Sequence, residues 1–408
     1  FVSSSMLVLT ACGGGDGDTT SVIVDDGIPK NNIVNPVVRV ESYTDIDSTV
    51  DTALSDASAS KSLVTYKMLG VDGAEVDATT LVFTPKTVPP VNGWPIVVWA
   101  HGTTGVADKC APSVLGLGQT AELIESLLDE GYVVVAPNYE GLGAPGNHPF
   151  LNLRSEAFSI TDAVVAARKY LKDKLGKKVS DQWASIGHSQ GGHAVLGAAQ
   201  YASRAQLNYK GTVAIAPASN LASILTIGEQ QASTLPINYQ IQMLAQLDTY
   251  TALIVAGMQG HNKSVTYNEV FKNDTVILAP IAEAECSSTV GVQLGTAMSI
   301  YAAGIGQGTL TGYGRLQSGF MSIPVIDTFL KKDSQPGLAP LNKKVFIYQG
   351  EADTTVPKAA TDLLIASMKA NGTSASNIQY TTSAAWDHGT VYTQNYTSFV
   401  DNIDSLFQ

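Results

Sequence analysis

The stretch Trp183-Ala184-Ser185-Ile186-Gly187-His188-Ser189-Gln190-Gly191 runs from an apolar segment into a small-residue, helix-forming one, Gly192 to Ala202. A strand that turns sharply into a helix through G-x-S-x-G is the setting of a nucleophile elbow. The turn is strained, and a Cβ at either glycine would meet the neighbouring strand or helix, so glycine is a physical requirement there. The pentapeptide alone also occurs in ordinary surface turns. Its flanking strand and helix make Ser189 the candidate nucleophile.

On either side of the elbow the chain alternates apolar strands with helical spacing. Leu63 to Leu69, Thr79 to Phe83 and Ile96-Val97-Val98-Trp99-Ala100 read as strands, and Gln119 to Asp129 as a helix. Tyr132 to Ala136, bounded by Gly131 and Pro137, is a buried strand, and Glu156 to Leu175 a helix ended by Gly176. Thr212 to Ala216, Lys344 to Tyr348 and Ile378 to Thr382 continue the strands, and Val391 to Leu406 closes the chain as a helix. Continuous apolar strands alternating with helices predict an α/β fold: a mostly parallel central sheet covered by helices on both faces. A βα crossover needs only about 30 residues, so the segment 221–332, between two of these strands, reads as an insertion. Its apolar helical stretches, such as Ile241 to Met258, and Gly-rich turns predict a mostly helical cap over the site, and its low charge favours packing on the core over an independent domain.

Acyl transfer by a serine needs a base, an acid that orients the base, and donors where the oxyanion develops. Asp353, in Gly350-Glu351-Ala352-Asp353, follows the Val345 strand directly, and His388, in Trp386-Asp387-His388-Gly389, follows the Ile378 strand. The order Ser, Asp, His is that of the α/β-hydrolase fold. Glu351 and Asp387 are the competing acids; Glu351 would have to point across the loop, and Asp387 is adjacent to the histidine and poorly placed to reach its Nδ1. Of the six histidines, His101, His148, His188, His193 and His261 all precede the acid, which leaves His388 as base. The oxyanion hole combines the backbone N–H of Gln190 with that of Thr103, in His101-Gly102-Thr103-Thr104-Gly105, with Thr104 as the alternative. His101 reads as a brace for that loop.

The net charge of −12 leaves no basic stripe for nucleic acid. Met6-Leu7-Val8-Leu9 ends an apolar run, and Leu9-Thr10-Ala11-Cys12 before Gly13-Gly14-Gly15 resembles a bacterial lipobox with a lipidated cysteine. The missing basic n-region reads as a trimmed start, and the run is far shorter than the roughly 20 apolar residues needed to span a bilayer. Residues 1–12 are thus a signal remnant with lipobox Cys12 and 13–35 a flexible tether, whose Asp16, Asp18, Asp25 and Asp26 lack the ligand order of a calcium loop. Residues 36–220 and 333–408 are the two parts of the core. With Cys12 assigned to lipid, Cys110 and Cys286 are candidates for a disulfide in an exported protein, the alternative being two buried thiols.

Trp99 to Gly105, Ala136-Pro137-Asn138-Tyr139-Glu140-Gly141-Leu142-Gly143 and the Gly187 to His193 elbow together resemble the secretory lipase family of α/β-hydrolases, from about Lys61 onward. The resemblance implies an exported bacterial serine carboxylic ester hydrolase with a helical cap and no cofactor or metal. Asn138 stands where many relatives have aspartate, and the cap carries no matching motif. The expectation is an esterase or lipase with an acyl-enzyme intermediate, acting on a small-molecule ester or lipid as an envelope-anchored monomer. Alternatives are a serine peptidase of the same fold and a non-catalytic surface binding protein.

Overall fold

The computed structural model describes residues 26–408; the lipobox with Cys12 lies outside them. Nine strands form one sheet: β1 (Val37–Ser42), β2 (Ser58–Leu69), β3 (Glu75–Pro85), β4 (Trp94–Ala100), β5 (Val133–Pro137), β6 (Val179–His188), β7 (Asn208–Ile215), β8 (Lys344–Gly350) and β9 (Ile378–Ser383). Their order is β1-β2-β3-β5-β4-β6-β7-β8-β9. The first three strands and the β3–β5 pair are antiparallel, and every pair from β5 to β9 is parallel.

Strand alternation sorts the core onto two faces. Along β4, Ile96, Val98 and Ala100 pack with the helices Leu153–Lys169 and Gln190–Gln200, while Val97 and Trp99 pack with Thr120–Asp129 and Tyr396–Phe407. All five are buried, as a strand covered on both faces requires. The sequence reading missed β1 and the helix Ser48–Ala57, which Asp47 caps by accepting from Thr49 and Val50 N–H.

Residues 26–35, expected as the end of the tether, lie against the domain. A buried Arg204 donates Nε and Nη2 to Asp162 at 2.8 and 2.7 Å, and its Nη1 to the Pro29 carbonyl at 2.7 Å. Asn31 Nδ2 donates to the same carboxylate at 2.8 Å. Paired and hydrogen-bonded on both sides, these charges are buried without an orphan.

Between β7 and β8 the chain is helical, with Leu221–Ala232, Ile237–His261 and Ser287–Ala303 the longest elements. Their apolar side chains join one cluster with Val106, Phe150, Leu151 and Val356 of the body, so the insertion shares a core with the sheet domain. Cys110 and Cys286 are disulfide-bonded with Cα atoms 5.4 Å apart, and beside them Gly105 bridges to Cys286 while Ser287 N–H donates to Thr104 O at 2.9 Å. The loop after β4 is therefore fastened to the cap.

The disulfide closes a sequence separation of 176 residues, for which chain-entropy arguments give an upper stabilisation of about 5 kcal/mol. The double variant Cys110→Ser/Cys286→Ser is expected to lose about 2–5 kcal/mol, read as a lower urea midpoint than the oxidised parent. An unchanged midpoint contradicts the bond's role.

Candidate active site

Ser189 sits where β6 ends and the Gln190–Gln200 helix begins, with φ 59° and ψ −117°. Few residues tolerate that backbone, and its surroundings hold it there. Ser189 N–H donates to Ile215 O at 2.8 Å, and its carbonyl accepts from His193 N–H and Ala218 N–H at 3.1 and 3.2 Å. A Cβ on Gly191 would strike the Ala100 carbonyl, and one on Gly187 the Gly191 carbonyl. Both glycines of the motif are required by contact.

Asp353 follows β8 and is buried. Its Oδ1 accepts from Thr355 and Val356 N–H at 2.8 Å each, and its Oδ2 from Gln349 Nε2 at 3.1 Å and His388 Nδ1 at 2.7 Å. His388 Nδ1 thus carries the proton, and Nε2 is left as the basic nitrogen. The rival acids are engaged elsewhere. Glu351 accepts from the Thr382 hydroxyl at 2.7 Å, and Asp387 caps its own turn through Gly389 and Thr390. The Thr390 backbone N–H, foremost among these donors, holds the Asp387 carboxyl below the usual carboxylate range.

Two histidines frame this arrangement without belonging to it. His188 Nε2 donates to the His388 carbonyl at 2.9 Å, and its ring lies 4.7 Å from that of His388 and 5.3 Å from that of Tyr392. Burial, with the nearby His388 adding to it, pushes His188 down to about 3. His101 faces the Gly102 and Asn138 carbonyls at 2.7 and 3.3 Å, and burial pushes it down to about 4. Tyr139 packs on the His101 ring at 4.4 Å and donates its hydroxyl to the His101 carbonyl at 2.9 Å. These contacts steady the loop that carries Thr103. The Asn138 amide donates to the Thr79 and Ser113 hydroxyls at 2.8 and 2.7 Å and ties the next loop in.

Thr103 lines three neighbouring cavities, two of which reach Ser189, whereas Thr104 lines one of them. An apolar cavity of about 40 Å³ lies between Ser189, Gln190, Leu151, Leu221, Ile224 and Ile254. A cleft of about 410 Å³ holds Ser189 and His388 together with His101, Gly102 and Thr103. Cap residue Tyr250 borders both spaces.

Sequence reasoning overlooked a fully buried Glu156 behind the elbow. Its Oε1 accepts from Gln190 Nε2 at 2.8 Å and Leu151 N–H at 3.1 Å, and its Oε2 lies 2.5 Å from His193 Nδ1. Burial works to raise this carboxyl, and the adjacent His193, foremost among the groups that oppose it, holds it at about 2. A glutamate in the first turn of a helix reads as a solvated residue, so only the x position of the elbow, a buried glutamine, offered a signal.

The fold matches solved structures over nearly its whole length. A protein from Legionella pneumophila aligns at 18% identity with TM-score 0.70, covering 91% of this chain and 98% of that one. The rice cell wall degrading esterase LipA from Xanthomonas oryzae aligns at 18% identity, TM-score 0.67, with 91% and 98% covered. Candida antarctica lipase A in its closed state aligns at 16% identity, TM-score 0.67, with 93% and 83% covered. No curated protein sequence matches the chain. The sequence profile of the secretory lipase family matches residues 113–397, from the loop after β4 to the last helix. That span takes in the elbow, the cap and both loops that carry Asp353 and His388, and the chain belongs to the secretory lipase family, carboxylic ester hydrolases of the α/β-hydrolase fold.

Proposed function

We propose that the chain cleaves carboxylic esters of short acyl chains through Ser189, His388 and Asp353. The observation that carries the reading is the hydrogen bond to a saturated, buried Asp353 from His388, which lines the cleft that also holds Ser189. Ser189 Oγ attacks the ester carbonyl while His388 Nε2 takes its proton, and Asp353 stabilises the imidazolium that forms. The oxyanion is received by the N–H groups of Gln190 and Thr103. Collapse expels the alcohol, which takes its proton from His388. Water then attacks the acyl-enzyme by the same route, releasing the acid and restoring Ser189.

The small apolar cavity beside Ser189 accepts the acyl group, and the wider cleft beside His388 accepts the alcohol and admits water. The reading includes export, with a lipid at Cys12 joining a monomeric body to the cell envelope. Among the described residues no helix is long and apolar enough to cross a membrane. The net charge of −12 supports a partner other than nucleic acid.

Three outcomes follow. Ser189→Ala is expected to lower kcat on p-nitrophenyl esters by at least about 10⁴-fold with an unchanged circular dichroism spectrum; retained turnover would move the nucleophile elsewhere. Among acetyl to palmitoyl esters, kcat/KM peaks at the short end, and a palmitoyl optimum would contradict the role given to the small cavity. His101 and His188 stay neutral in an NMR titration from pH 7.5 to 5, since burial holds them at about 4 and about 3. Their folded values lie below the unfolded value of about 6.5, so the unfolded chain binds protons first as pH falls. The stability each contributes is full above that value and is lost as pH descends towards the folded one. A ring of either residue titrating near 6.5 would overturn this assignment.

A further inference from the structure

Glu156, His148 and His193 are fully buried behind the elbow, and the proposed mechanism leaves all three unused. Hydrogen-bond accounting assigns their protons. His193 Nδ1 meets Glu156 Oε2 at 2.5 Å and its Nε2 meets the Ser334 carbonyl at 2.9 Å. Both partners only accept, and one is a carboxylate in close contact, so both ring nitrogens carry hydrogen and His193 is an imidazolium; His101, whose second carbonyl lies 3.3 Å away, has no carboxylate bonded to it and stays neutral. His148 Nδ1 donates to the Glu140 carbonyl at 2.8 Å, and its Nε2 lies 2.8 Å from Gln190 Nε2. The Gln190 amide also reaches Glu156 Oε1 at 2.8 Å. Its NH₂ therefore faces both neighbours, and His148 Nε2 accepts as a neutral ring.

This pair is built where direction matters more than adhesion. A buried ion pair adds little stability over apolar packing of the same volume, because desolvation offsets the attraction. It does fix angles, through charge-assisted hydrogen bonds of defined geometry. One carboxylate holds the side chain of Gln190, whose backbone N–H is the proposed oxyanion donor, and the N–H of Leu151, which lines the apolar cavity with φ 58°. Its imidazolium partner holds Ser334, where the chain returns from the cap to the body. Tyr139 continues the set, stacking on His148 at 5.5 Å and bonding to the His101 carbonyl of the Thr103 loop.

We propose that the Glu156–His193 ion pair is a positioning device for the oxyanion hole, holding the Gln190 N–H through the glutamine amide and aligning the cavity wall through Leu151. The inference rests on the ester-hydrolase reading above. Glu156 and His193 touch no substrate; they act through Gln190.

Two variants test it. Glu156→Gln removes the charge, and Gln190→Met keeps the backbone N–H and the ion pair while releasing the amide. Each is expected to lower kcat roughly 10- to 100-fold with KM within about threefold of the parent, the scale of a misplaced donor. Affinity for a trifluoromethyl ketone, which forms the oxyanion on Ser189, falls in step with kcat/KM. A purely structural role would lower the melting temperature and leave that ratio alone. In ¹⁵N-histidine NMR the His193 ring shows two N–H protons in the parent. If Glu156→Gln fails to fold, Gln190→Met carries the kinetic test. Unchanged kcat and inhibitor affinity in folded Gln190→Met, or a single N–H on His193, overturns the inference. A parent that hydrolyses no ester and takes no phosphonate at Ser189 overturns the ester-hydrolase reading, and the positioning role with it.

Discussion

The backbone crossing at the elbow is the constraint on which the rest of the site depends. The start of the Gln190–Gln200 helix passes so close to β4 that a side chain at Gly191 would strike the Ala100 carbonyl, and one at Gly187 would strike the helix itself. That closeness brings the N-terminal turn of the helix beside the His101–Thr103 loop, which leaves the end of β4 in parallel register with β6. Ser189 then has no choice of backbone conformation: its N–H is committed to β7 and its carbonyl to the helix and to Ala218 in the turn after β7. A strained residue held from both sides gives the proposed nucleophile a position that owes little to its own side chain.

Around this crossing, the body and cap are joined at several points rather than hinged at one. The Cys110–Cys286 bond and the Thr104–Ser287 contact fasten the loop after β4 to the Ser287–Ala303 helix. His193 holds Ser334 on the returning chain. Within the cap, Arg315 bonds to the buried Asp248 at 2.9 and 2.5 Å, fixing the Gly-rich turn onto the Ile237–His261 helix that carries Tyr250. The walls of the small apolar cavity are thus set by elements that are tied to the catalytic loops. A cavity made this way resists widening, because its apolar wall residues are packed in one core shared by cap and body.

The elbow and the loops of Asp353 and His388 could be read from the sequence because each is a local statement: an apolar strand, a break, and a reactive residue directly after it. Strands buried on both faces, such as β4, β5 and β7, were equally plain. β1 was missed because it is an edge strand with five of its six residues exposed, which leaves no apolar alternation to detect. The segment 26–35 read as tether because its attachment depends on Arg204 and Asp162, far away in sequence and indistinguishable from surface charges without the fold. Glu156 and His193 stand 37 residues apart and pair only because two helices pack side by side on one sheet face. Partnership between buried polar groups is a property of topology, and periodicity carries none of it.

The central claim, that this crossing presents one serine and two backbone donors to a single carbonyl, is tested most directly by the crystal structure of the protein inactivated with an alkyl phosphonate. The account predicts phosphorus bonded to Ser189 Oγ, its oxygen within hydrogen-bond distance of the N–H groups of Gln190 and Thr103, and the alkyl chain in the cavity beside Leu151 and Ile254. A phosphonate on another residue, or an oxygen turned away from both donors, would contradict it.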